Sequence, residues 1–142
     1  MQMPGLTVRI ENDLSEIPKV DEKLDEFAEQ FGLPPAIAAT FHIIFDDLLN
    51  NVISYGFNDE QRHFIDISLE LTANSLIVSI ADDGVTFDPL TKATPDTTLS
   101  IEDRQIGGMG IHLVINMVDD INYQRTADKN VLTLTKSLQS KK

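Results

Sequence analysis

Three short segments of this chain carry residue types whose spacing could do chemistry. In Ile106-Gly107-Gly108-Met109-Gly110-Ile111-His112-Leu113-Val114, three glycines fall within four positions, ahead of a run in which Ile111, Val114, Ile115 and Val118 recur at helical spacing. Glycines at a helix N-terminus let backbone N–H groups approach an anion without Cβ obstruction, and the helix dipole favours phosphate there. The same run would also serve as a tight turn into a core helix. The second segment is Asp46-Asp47-Leu48-Leu49-Asn50-Asn51, where four polar residues interrupt an apolar helix. At 100° per residue, Ile37, Phe41, Ile44, Phe45, Leu48 and Val52 define the buried face. Asp47 and Asn51, one turn apart, lie along its edge, with Asp46 and Asn50 farther toward solvent. A carboxylate and an amide oxygen so placed can address a hard cation, and the carboxylate can accept a proton. The third is Asp82-Asp83-Gly84-Val85-Thr86-Phe87 at a strand end. Asp followed by Gly there makes a turn. By alternation, however, Asp82 shares the side of Val78 and Ile80, where a carboxylate must find a donor; an adenine amino group is one.

The elements that position these residues follow from periodicity. Leu6, Val8 and Ile10 alternate with Thr7, Arg9 and Glu11 as in a half-buried strand. A helix capped at Ser15, with Pro18 in its first turn, carries the stripe Ile17, Val20, Leu24, Phe27, Ala28 and Phe31 and ends at Gly32. Pro34-Pro35 opens a longer helix that runs to Tyr55 and stops at Gly56. A hairpin follows: Ile65, Ile67, Leu69 and Leu71, a turn at Ala73-Asn74, then Leu76 to Ala81. From Asp82 to Gln105 the periodicity vanishes, and a loop that long in a compact domain is functional or disordered. After the glycine-rich turn and its helix come a strand through Ile121 and Tyr123, a turn at Asp128-Lys129-Asn130, and a last strand through Val131, Leu132 and Leu134. The order β-α-α-β-β-loop-α-β-β implies a two-layer α+β sandwich in a single domain, 1–142.

Composition bounds the function. A chain of 142 residues buries roughly two-thirds of its unfolded surface. It has no cysteine, which excludes disulfides and thiolate chemistry and fits a reducing compartment. No spanning helix or signal peptide is visible, so a cytoplasmic location without membrane contact is expected. The net charge of −12 argues against direct nucleic-acid binding. It suits solubility or a docking surface for a basic partner. His42, His63 and His112 share no metal spacing and read as structural or surface residues.

An acidic-x-x-x-Asn helix, Asp-x-Gly at a strand end, a long loop and Gly-x-Gly at a helix start together resemble the N, G1 and G2 boxes of the GHKL ATPases. Within that superfamily the short length, Asp82-Asp83-Gly84-Val85-Thr86-Phe87-Asp88-Pro89 and the run from Ile106 to Val114 resemble the bacterial anti-sigma factors of the RsbW and SpoIIAB type, which are also serine/threonine kinases. The resemblance implies a Bergerat-type sandwich, with helices on one face of a mixed, mostly antiparallel sheet. It implies ATP and Mg2+ as cofactors, with Asn51 as magnesium ligand and Asp47 as general base. Asp82 would accept from adenine, and Gly84 would admit the purine. Residues 87–106 would form the ATP lid, with Arg104 sensing the terminal phosphate, while Gly107, Gly108, Met109 and Gly110 would meet the phosphates. The implied partners are a sigma factor and a STAS-type anti-anti-sigma protein, with room for a homodimer. The chain departs from the family at three places. Asp47 stands where Glu is common, and a base about 1 Å short can cost on the order of 100-fold in rate. Thr86 replaces a second glycine, and Lys129-Asn130 replaces the Gly-Thr that often precedes the last strand. A regulator whose binding is nucleotide-controlled, without kinase activity, is the alternative that Asp47 favours.

Overall fold

Alternation of apolar and polar residues is carried through into five strands. A computed structural model describes residues 5–57, 61–84 and 116–138. In it β1 (Gly5–Glu11), β2 (Phe64–Leu71), β3 (Ser75–Asp82), β4 (Asp120–Thr126) and β5 (Lys129–Ser137) form one sheet in the order β1-β2-β3-β5-β4. All pairings of these strands are antiparallel, so the described sheet is not the mixed one expected. The connections explain this. Two helices, not one, separate β1 from β2 and bring the chain back to the end of β1, where Phe64 pairs with Glu11. A single crossover helix would have left the strands parallel.

Both helices cover one face of the sheet. Val8, Ile10, Ile65, Ile67, Leu69, Leu76, Val78, Ile80, Leu132 and Leu134 are buried there, against Val20, Leu24 and Phe27 of α1 (Ile17–Phe31) and Phe41, Ile44, Phe45 and Leu49 of α2 (Pro35–Tyr55). Each such side chain contributes about 1.5–3 kcal/mol when fully buried. The helix starts differ from expectation at one cap. Asp13, not Ser15, is the capping side chain: it accepts from the Ser15 N–H at 2.9 Å and opens a short 3-10 turn, Leu14–Glu16, ahead of α1. Gly32 ends α1 in the left-handed region at φ 70°. α2 is long and apolar enough to cross a membrane by length and composition, contrary to the expectation that no such helix is present. One face of it is nonetheless packed inside the sandwich, with Phe41, Ile44, Phe45 and Leu49 fully buried, while Ile43 is exposed.

The β4–β5 hairpin turns earlier than expected. Ala127 and Asp128 both have positive φ, 51° and 64°. Two consecutive left-handed residues match the twist of the flanking strands in a two-residue turn. Lys129 and Asn130 therefore belong to β5 and not to the turn. The expected lid, and the start of the helix after the glycines, lie outside the described residues; Asn116 and Met117 at that helix's end are helical.

Candidate functional site

Strand parity brings Asp82 inward, and strand register supplies its neighbours. Asp82 lies opposite Ile65 on one side and Asn130 on the other, and Asn130 lies opposite Arg125. One rung of the inner sheet face thus reads Ile65, Asp82, Asn130, Arg125. Asp82 is only 6% exposed. Its Oδ1 accepts two hydrogen bonds, from the Gly84 N–H at 2.9 Å and from Asn130 Nδ2 at 3.0 Å. Among the described residues no donor reaches Oδ2. Burial pushes the Asp82 carboxyl above its ordinary pKa, while the Asn130 and Gly84 hydrogen bonds pull it back; Asp83 adds to the rise and Arg125 opposes it. A buried carboxylate oxygen with open lone pairs calls for a donor from a ligand. Periodicity identifies Asp82 but misses Asn130, because Asp128-Lys129-Asn130 has the composition of a turn. Alternation with Leu132 and Leu134 is the signal that could have found it.

The turn after Asp82 is clamped from three directions. His63 Nδ1 lies 3.0 Å from Asp83, and the His63 ring stacks on Phe57 with centroids 4.5 Å apart. Arg125 Nη1 donates to the Gly84 carbonyl at 2.8 Å. Gly84 itself abuts the end of α2: a Cβ built there would fall 2.2 Å from the Gly56 carbonyl oxygen and 2.9 Å from Asp82 Oδ1. A close approach to backbone therefore already demands glycine here, beside the purine approach expected of Gly84. This contact fixes α2 against the Asp82 turn. Gly56 ends the helix in the right-handed region, at φ −82°, so its role is also close packing and not a left-handed cap.

Asn51 sits five residues before Gly56, about 7.5 Å along the helix axis. Asp46 and Asn50 are exposed, and Asp47 and Asn51 are partly buried along the helix edge. Ser54 Oγ donates to Asn50 at 3.2 Å. Asp47 and Asn51 make no side-chain hydrogen bond or ion pair among the described residues, which leaves both available to a ligand. No cluster of three or more acidic or imidazole side chains capable of holding a metal exists among the described residues. A magnesium ion at Asn51 would thus draw most of its ligands from phosphate oxygens and water, the usual habit of that cation. Arg104, Gly107, Gly108, Met109 and Gly110 lie outside the described residues.

Known proteins match this chain over most of its length. The family described as histidine kinase-like ATPase domain matches residues 10–136. Over 96 residues the chain is 33% identical to serine/threonine-protein kinase BtrW of Bordetella bronchiseptica, an overlap covering 68% of each chain. Among solved structures, the RsbU and RsbW domains of a Mycobacterium tuberculosis protein superpose on 94% of this chain with a TM-score of 0.67 at 15% identity. This chain spans 32% of that longer one, and the likeness shows a shared fold. The family match runs from the end of β1 into β5 and so takes in Asp47, Asn51, Asp82 and the glycine-rich run together. The chain belongs to the histidine kinase-like ATPase domain family, and ATP binding goes with that membership.

Proposed function

We propose that this protein binds Mg-ATP and phosphorylates a serine or threonine of a STAS-type anti-anti-sigma partner, and that it also sequesters a sigma factor. The observation that carries the nucleotide half is the buried Asp82 carboxylate, with Oδ1 doubly held and no donor on Oδ2 among the described residues. An ionised carboxylate accepts and cannot donate, so it suits the amino group of adenine and opposes the carbonyl of guanine. The kinase half is supported by the 33% identity to a protein named as a serine/threonine-protein kinase.

In this reading Asn51 offers its amide oxygen to magnesium. By the family resemblance, the amides of Gly107, Gly108, Met109 and Gly110, together with Arg104, would meet the phosphates, and residues 87–106 would serve as the lid. Bound ATP would supply the γ-phosphoryl group, the bridging P–O bond between the β- and γ-phosphates breaking to release ADP as the hydroxyl oxygen bonds the γ-phosphorus. Asp47 takes the proton of the incoming hydroxyl as that oxygen becomes the nucleophile. Incubation with labelled ATP, magnesium and a STAS protein from the same operon tests this. Transfer of label to the partner is expected, and so is its loss in Asp47→Asn with ATP binding retained. Asp47→Glu should keep or raise the rate.

A second reading has one observation in its favour: Asp47 is a methylene shorter than the glutamate common in the family. The protein is then a binding module whose nucleotide controls partner affinity without phosphoryl transfer. A parent protein that binds the STAS partner in a nucleotide-dependent way yet transfers no label to it establishes that reading instead, whereas labelling as fast in Asp47→Asn as in the parent overturns only the base assignment.

A further inference from the structure

We infer that Asn130 and Tyr123 are positioning residues that set the purine preference of the site through Asp82, an inference that rests on the nucleotide reading above. Tyr123 on β4 lies opposite Leu132, so it is the diagonal, same-face neighbour of Asn130. Its hydroxyl donates a short hydrogen bond to Asn130 Oδ1, and Asn130 Nδ2 in turn donates to Asp82 Oδ1 at 3.0 Å. Only one amide orientation is compatible with an ionised carboxylate. Turned the other way, Asn130 would set its oxygen against Oδ1 of Asp82. The phenol, the amide and the carboxylate are therefore polarised in one direction, toward Asp82.

Two consequences follow for the ligand. Asn130 and the Gly84 N–H converge on the same carboxylate oxygen, which fixes the plane of the carboxyl group and leaves Oδ2 as the acceptor. Donation from Asn130 also favours the ionised form against burial, with Asp83 working against it and Arg125 for it. An ionised Asp82 selects a 6-amino purine. A protonated Asp82 would donate to a 6-oxo purine instead. The Tyr123–Asn130 pair thus biases this carboxylate toward the ionised form that reads adenine, against the burial that raises its pKa.

Calorimetric titration of ATP and inosine triphosphate, each with magnesium and across pH, tests the inference on the parent, Tyr123→Phe, Asn130→Asp and Asp82→Asn. Tyr123→Phe removes one oxygen from a half-buried ring, so the fold should persist, as circular dichroism will show. It should weaken ATP binding about 2- to 10-fold and move the acidic limb of the binding profile to higher pH. Asn130→Asp places a second carboxylate against Asp82, and the pair holds a shared proton. ATP affinity should fall more than about tenfold, the cost of a lost charge-assisted hydrogen bond, and the preference for ATP over inosine triphosphate should narrow. If Asp82→Asn loses ATP binding but Tyr123→Phe and Asn130→Asp keep the parent affinity, preference and pH profile, the inference is overturned while the nucleotide reading stands. A parent that binds no ATP overturns both. Should Asn130→Asp fail to fold, Tyr123→Phe decides alone.

Discussion

At Asp82, function and folding pull in opposite directions. Burial raises its pKa in the folded protein, so between the ordinary carboxylate range and that raised value the native state holds a proton the unfolded chain has released. By linkage, its contribution to stability is largest below the ordinary range and falls as pH rises toward the folded pKa. Asp82→Asn removes that dependence. Thermal melts from acid to neutral pH should show the variant gaining on the parent as pH rises, although its ATP affinity is lost. His42 has the same pH dependence from the opposite cause, because here the fold favours the charged form. Its two ring nitrogens lie 2.7 Å from Asp21 and 2.7 Å from Asp25, joining α2 to α1. Burial alone would lower its pKa, but the hydrogen bonds to Asp25 and Asp21 outweigh it and the net shift is upward. Asp46 also faces this cluster, through Asp21. The clasp is fully formed below the ordinary histidine pKa, about 6.5, and is lost as pH rises through the raised one. His42→Gln should therefore be less stable than the parent in mild acid and converge with it at alkaline pH. An NMR titration of the His42 ring should give a midpoint above that of an unstructured histidine.

Two glycines at element ends separate steric need from conformational need. Gly32 closes α1 at φ 70°, and a methyl group added to its Cα would meet nothing within 4 Å. Its replacement by alanine costs only the left-handed conformation, about 1 kcal/mol. Gly84 has no such φ, but a Cβ there would meet the Gly56 backbone at 2.2 Å. Gly84→Ala must push the end of α2 away from the Asp82 turn, at a cost of about 1–3 kcal/mol for overpacking. Urea denaturation should place both variants below the parent. Only Gly84→Ala should also weaken ATP binding, because α2 carries Asn51 and the turn carries Asp82. Equal nucleotide affinity in the two variants would show that the contact is structural alone.

For the molecule as a whole, the proposed site draws on both layers: Asp47 and Asn51 stand on α2, and Asp82, Asn130 and Arg125 stand on β3, β5 and β4. A ligand that spans both layers binds the native state and not the unfolded chain, so it must raise the melting temperature. At about 100 times its dissociation constant, ATP with magnesium should stabilise the parent by about 2.7 kcal/mol. Asp82→Asn and Asn51→Ala should show little or none of that shift, which differential scanning calorimetry can measure. A full shift in Asn51→Ala would remove Asn51 from the site.

What could be read from the residues alone was whatever depends on local period and parity. The alternation of Ile65, Ile67 and Leu69 marked β2, the 100° step sorted Asp47 and Asn51 from Asp46 and Asn50, and parity turned Asp82 inward. These are properties of a few consecutive residues, and they hold whatever the rest of the chain does. Tertiary structure decided the partners. Asn130 reaches Asp82 from 48 residues away, and Arg125 reaches Gly84 from 41. Neither contact exists until a turn at Ala127-Asp128, with both residues at positive φ, sets the register of β5 against β3 and β4. A register shift of one residue would turn Asn130 to the opposite face. The identity of a buried carboxylate is therefore visible in the sequence, whereas the groups that hold and polarise it are fixed only by the register of the strands around it.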